Sequence, residues 1–194
     1  MRRALVTLLT LAGASSALAD PLSDLLERGN GGACFERAYD DAHLAKNPNQ
    51  RTRTALLSLK EIPDEFGAIV RIRFQRTDGV RYIVGFCEWA DTANLDAMGE
   101  KMIAAFRGPG GLDCHAVTDV DGESAEEGGD FPLDLRDGTV SVLYLPEEIA
   151  VWRSLDRSVS AEMAPFGVDD NVFRMNRTGT GACRPLVDDL PWFG

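Results

Sequence analysis

Between Val70 and Phe86 the chain states its fold most plainly. Val70, Ile72 and Phe74 alternate with Arg71, Arg73 and Gln75, Asp78-Gly79 breaks the run, and Val80, Tyr82, Val84 and Phe86 alternate in turn. Period-two alternation is that of a strand with one face buried. An Asp-Gly pair between two such runs marks a hairpin, because glycine accepts the positive φ that a tight turn demands. The pattern recurs: Leu133 and Leu135 lead into Arg136-Asp137-Gly138-Thr139, and Val140, Val142 and Tyr144 follow. Antiparallel hairpins of this kind argue against a parallel α/β sheet, whose strands need crossover helices between them.

The remaining strands are shorter. Cys34 to Asp40 carries Phe35, Arg37 and Tyr39 on one face, Thr52 to Leu59 opens with β-branched threonines, and Val172 to Asn176 is the last. Pro146 to Trp152 reads better as a strand than as a helix, since Ile149 and Val151 alternate. Leu95, Met98, Met102 and Phe106 recur at helical spacing, which predicts one main helix over Ala93 to Phe106. The expectation is a mainly β fold, an antiparallel barrel or sandwich of about seven or eight strands with one main helix.

The first nineteen residues stand apart from that domain. Arg2 and Arg3 precede a mostly apolar run from Ala4 to Leu11, and Ala17-Leu18-Ala19 has the small-x-small form of a cleavage site. This is the pattern of a secretory signal peptide over residues 1–19, leaving 20–194 as a single domain in the periplasm or outside the cell. An oxidising destination sets how the cysteines are read. Cys34, Cys87, Cys114 and Cys183 are an even set without a C-x-x-C spacing, which favours two structural disulfides over a metal or redox site. Of the three connectivities, we favour Cys87 with Cys114, around the predicted helix, and Cys34 with Cys183, tying the start of the domain to its end.

Charge narrows the partners. The formal net charge is −11, and loss of Arg2 and Arg3 makes the mature chain more acidic still. Nucleic acid and anionic lipid need clustered Lys and Arg, so neither is expected. No later run is long and apolar enough to insert in a membrane. Acidity of this degree suits solubility, or attraction to basic proteins.

The densest group of chemically able side chains is Tyr39, Asp40, Asp41, His43, Lys46 and Asn47. A histidine flanked by carboxylates has the makings of a general base, although Asp, Asn and Pro in such a run are also turn formers. We read the stretch as a ligand-contacting or structural loop. Asp119, Asp121, Glu123 and Asp130 belong to a glycine-broken acidic loop whose oxygens would suit calcium, but without EF-hand spacing; its default is solvated surface. No metal or other cofactor is expected, and no nucleophile elbow, P-loop or dinucleotide fingerprint is present.

Cys34 to Gln50, with its Asp41-Ala42-His43-Leu44-Ala45-Lys46-Asn47-Pro48-Asn49-Gln50 core, resembles a group of uncharacterised small exported alphaproteobacterial proteins. The likeness extends to the Cys114 neighbourhood, to Val172-Phe173-Arg174-Met175 and to Cys183-Arg184-Pro185-Leu186. It implies a secreted or periplasmic β domain and brings no activity with it. The functional expectation is a non-catalytic binding or envelope-associated domain for a small ligand or protein. An inhibitor of a basic secreted enzyme such as a lysozyme, or a hydrolase using His43 with Asp40 or Asp41, are the alternatives.

Overall fold

A computed structural model describes residues 25–26, 32–62, 67–89, 111–118, 128–135, 138–154 and 160–187. Its strands are β1 (Gly32–Ala38), β2 (Thr52–Glu61), β3 (Ala68–Arg76), β4 (Gly79–Trp89), β5 (Gly111–Ala116), β6 (Asp130–Asp134), β7 (Val140–Tyr144), β8 (Glu148–Val151), β9 (Glu162–Pro165) and β10 (Val172–Thr178). A short helix α1 (Asp41–Lys46) joins β1 to β2, and a 3₁₀ turn (Thr180–Cys183) leads into α2 (Arg184–Val187) after the last strand. Eight strands close into an antiparallel barrel in the order β1-β10-β7-β6-β5-β4-β3-β2, and β8 pairs with β9 beside it. Closure leaves no exposed sheet edge in the barrel itself, because β10 pairs on one side with β7 and on the other with β1.

The first Asp-Gly hairpin forms as the sequence predicts, with Gly79 at φ +118 in the turn and Ile72 opposite Ile83. Gly138 serves the second at φ +75, and Leu133 lies opposite Leu143. The register assigns the faces. Val70, Ile72 and Phe74 point into the barrel, where they join Phe35, Leu57, Phe131, Leu133, Leu143 and Phe173 in one buried core. Across β4 the inward side chains are Ile83 and Cys87, so Tyr82, Val84 and Phe86 face out. Their apolar character has a cause: Trp152, Val117 and Ala161 cover that outer face, and Tyr82 exchanges backbone hydrogen bonds with Trp152. A strand covered on both faces needs apolar residues on both.

Both expected disulfides are present, Cys34–Cys183 and Cys87–Cys114. Cys87 and Cys114 face each other across β4 and β5 inside the barrel core. Cys34 points outward and meets Cys183 and Leu186 in a separate cluster, so this bridge holds the segment after β10 against the outer wall. Arg71 on the same wall donates to the Leu186 carbonyl.

The stretch from Asp40 to Gln50, read as loop, contains α1. Asp40 adopts extended backbone and caps the helix, its Oδ1 accepting from the His43 amide at 2.7 Å, with Asp41 in the first turn and Lys46 in the last. The same short polar side chain that favours turns also starts helices, and here the cap prevails. The main helix expected over Ala93 to Phe106 lies outside the described residues. Among the described residues, no helix is long and apolar enough to cross a membrane.

The two ends of the barrel differ in chemistry. One collects Leu25, Leu26 and the β6–β7 turn, and both leucines are buried in the core. The other collects α1, the β3–β4 turn and the loop between β9 and β10, and it is polar.

A candidate ligand site at the polar rim

On β3 the inward positions run Val70, Ile72, Phe74 and then Arg76, so strand geometry alone carries a guanidinium into the barrel mouth. The Arg76 side chain is only 5% exposed. Its Nε donates to Asp78 Oδ1 at 3.1 Å, its guanidinium carbon lies 4.7 Å from the centre of the Phe166 ring, and Asp170 Oδ2 stands 4.0 Å from Nη1. A buried cation needs such company, since desolvation without a counter-charge is costly.

Asp170 is fully buried and ties the rim together. Its two oxygens accept from the backbone amides of Arg51 at 2.8 Å and Thr52 at 3.1 Å, across more than a hundred positions of sequence. Next to it, Asp169 accepts from the Asn49 amide. The β9–β10 loop is thereby fastened to the connection that follows α1. Between them opens a pocket of about 530 Å³, lined by Pro48, Asn49, Gln50, Arg51, Arg76, Thr77, Pro165 and Gly167.

The residues singled out from the sequence stand beside this pocket in structural roles. His43 Nε2 donates to Gln50 Oε1 at 2.9 Å, and Gln50 Nε2 donates in turn to the Thr52 carbonyl at 3.0 Å. The imidazole packs against the Tyr39 ring, with 4.6 Å between centroids, and Arg37 lies over the same tyrosine. Asn47 Nδ2 donates to the His43 carbonyl, closing the helix. Asp41 is exposed and, among the described residues, reaches only Arg53, at 4.0 Å, while Lys46 is exposed in the last turn. Burial pushes the Tyr39 hydroxyl above its usual range; Arg37 opposes this and the Asp170 charge reinforces it, so the phenol stays protonated at neutral pH. No Asp or Glu carboxylate meets the His43 ring among the described residues: Asp40 is spent on the helix cap, and the imidazole proton goes to an amide.

The second histidine has the carboxylate that the first lacks. His115 on β5 sits 2.7 Å from Asp130 on β6, through Nδ1. Asp113, two residues earlier on the same outer face, lies opposite Glu88. Burial raises the Asp113 carboxyl above the ordinary range; His115 opposes that, and the charges of Asp130 and Glu88 add to it. Of the calcium candidates, Asp130 is thus engaged with His115, and Asp119, Asp121 and Glu123 lie outside the described residues. Among the described residues no group of three His, Cys, Asp or Glu side chains is placed to hold a metal ion.

Sequence reasoning missed Arg76 and Asp170. For Arg76 the signal was available: a cation at the inward parity of an otherwise apolar strand face. Asp170 offered none, because its partners are brought to it only by barrel closure. Comparison with protein-family models, curated proteins and solved structures finds no match.

Proposed function

We propose that this chain is an exported, non-catalytic binding domain, periplasmic or secreted, that takes its ligand at the Arg76 rim. The observation that carries this reading is the pairing of a packed interior with a polar mouth. Phe35, Phe74, Phe131 and Phe173 fill the barrel, which therefore serves as scaffold, while a buried arginine and a buried aspartate, Arg76 and Asp170, meet at one end. Rigid elements presenting loops at a rim are a common way of building a binding site. The signal-peptide pattern and the two disulfides support export. That the His43 ring meets an amide and, among the described residues, no carboxylate favours binding over hydrolysis at that residue.

The test uses protein recovered under gentle conditions from the cell envelope or medium of its own host. Native mass spectrometry should find a retained ligand on the wild type and none on Gly167→Leu, which fills the pocket. A side chain is tolerated there, since a Cβ at Gly167 meets nothing within 4 Å. Chemical conversion of the retained compound by purified protein would overturn the non-catalytic reading.

A second reading, inhibition of a basic secreted enzyme, is favoured by the outer-face acids Glu88, Asp113 and Asp130 together with the net charge of −11. Opposite charge accelerates such encounters. Capture of a basic hydrolase such as lysozyme that persists at physiological salt, with loss of its activity, would support this reading. Capture confined to low salt would reduce it to charge attraction.

A further inference from the structure

We infer that the Arg76 pocket recognises an uncharged oxygen acceptor, a hydroxyl or an amide carbonyl, rather than an anion. The inference rests on the rim being the binding site and names the chemistry of what it binds. Its starting point is how little of the guanidinium is used. Arginine offers five N–H donors. In Arg76 only Nε makes a hydrogen bond among the described residues; Nη1 stands 4.0 Å from Asp170, beyond hydrogen-bond reach, and Nη2 has no partner there. Neither Nη is among the fully buried polar atoms left without a partner, so the little exposure this side chain keeps lies at these unused donors. These donors belong to a residue that lines the pocket, so the pocket is where an acceptor can reach them.

Charge decides what kind of acceptor. The pocket lining contributes two cations, Arg51 and Arg76. Asp78 is bridged to both, at 3.5 Å and 3.1 Å, and Asp170 stands behind Arg76, so two carboxylates already balance two guanidinium groups. Asp169 adds a further negative charge at the rim. Arg81 also acts on Asp78, so three guanidinium groups stand against the carboxylates of Asp78, Asp169 and Asp170; an incoming carboxylate or phosphate would meet no surplus positive charge and would be repelled by Asp170, whose oxygens are both held by backbone amides. A hydroxyl or carbonyl oxygen takes the unused donors and leaves the balance intact. The walls agree: Pro48 and Pro165 offer rigid apolar surface without charge, suited to the flat face of a sugar ring or a peptide unit.

The probes are methyl glucoside, which offers hydroxyls only; N-acetylalanine N-methylamide, which offers amide carbonyls only; and sodium acetate, the anion. Each is titrated into the folded, oxidised domain while the backbone amides of Arg51, Thr77 and Gly167 and the Arg76 Nε–H are followed by NMR. One of the two neutral probes should shift these signals saturably, with an affinity unchanged between low and physiological salt. Which one does so separates a sugar from a peptide source. Gly167→Leu should abolish the shifts. Arg76→Lys, which keeps the charge and loses the fork, should weaken binding about tenfold. If Arg76→Lys does not fold, Gly167→Leu alone decides. Saturable, salt-sensitive binding of acetate at the same amides overturns the inference, as does silence of both neutral probes at the limit of their solubility. A ligand retained by the wild type and lost from Gly167→Leu would still leave the rim as the binding site, so the two readings fail separately.

Discussion

Leu25 and Arg76 close opposite ends of one barrel, the first with hydrocarbon and the second with a guanidinium between carboxylates. Both disulfides belong to the apolar half. Cys34 lies near the start of β1, and Cys87 lies near the end of β4. The polar half has no covalent tie among the described residues and is held by hydrogen bonds and ion pairs. The difference separates two tasks. Apolar burial and cross-links hold firm regardless of pH and salt, whereas a buried ion pair contributes little net stability yet leaves oriented donors that a ligand can use. Stability is concentrated at one end, and unspent hydrogen-bonding capacity at the other.

The largest effect should come from cutting the apolar half. By loop entropy, the Cys34–Cys183 bridge, spanning 149 positions, stabilises by about 5 kcal/mol, and Cys87–Cys114, spanning 27, by about 3.5 kcal/mol, both as upper figures. Urea midpoints of the double alanine variants should fall in that order. Equal midpoints for wild type and either variant would deny the apolar half its covalent role.

Breaking the polar half should come next. Asp170→Ala strips the Arg51 and Thr52 amides of their acceptor and leaves Arg76 with Asp78 alone, a loss of about 3 kcal/mol by urea denaturation. Asp170→Asn, which keeps an acceptor, should lose less. At the other end, Leu25→Ala should cost about 2 kcal/mol through the cavity it leaves. The comparison is sharpened by repeating both in high salt: Asp170 and Leu25 are both buried beyond the reach of screening, so neither loss should change much. A Leu25→Ala loss that varies with salt would count against the contrast.

The smallest effects concern pH. Burial would raise the Asp78 carboxyl, but the charge and hydrogen bond of Arg76, with help from its own backbone amide and from Arg81, hold it below the usual range. Its contribution is therefore complete above the ordinary carboxylate pKa and is lost as pH falls through the lowered value. Asp113 runs the other way. Burial raises its carboxyl, so its ionisation costs stability as pH climbs from the ordinary value through the raised one. At neutral pH, Asp78→Asn should lower stability and Asp113→Asn should raise it, each by less than about 1 kcal/mol, since both groups are partly screened by solvent. Denaturant curves at acid and neutral pH check this; shifts of the same sign would refute the opposition.

Much of this barrel was legible from alternation. Val70 to Phe86 dictates β3, β4 and the Gly79 turn, because a two-residue period and a required positive φ are local properties. The two disulfides were also expected, from an even cysteine set behind a signal-peptide pattern, and the connectivity favoured among three is the one present. Closure was less visible, since pairing of β1 with β10 depends on residues far apart in sequence. The outward turn of Tyr82, Val84 and Phe86 was hidden for the same reason, as their cover comes from Trp152 and Ala161. At the site, counting functional groups drew attention to Asp40 and His43, whose polar atoms turned out to serve a helix cap and a glutamine. Arg76 is marked by parity on its strand, and Asp170 by nothing local at all.

The β1–β10 seam also dictates an order of assembly. A chain emerging from its N-terminus can form the meander of β1 to β7 as each strand appears, but this sheet is open, with β1 at one edge and β7 at the other. Both edges present unpaired backbone until Val172 to Thr178 arrives and fills the gap between them. Non-local pairing of this kind is slow, because the ends must first find each other. Cys87 and Cys114, on adjacent strands, can oxidise while the sheet is still open, whereas Cys34 and Cys183 meet only once the seam is shut. The later bridge acts as a latch, and its formation records that the barrel has been completed.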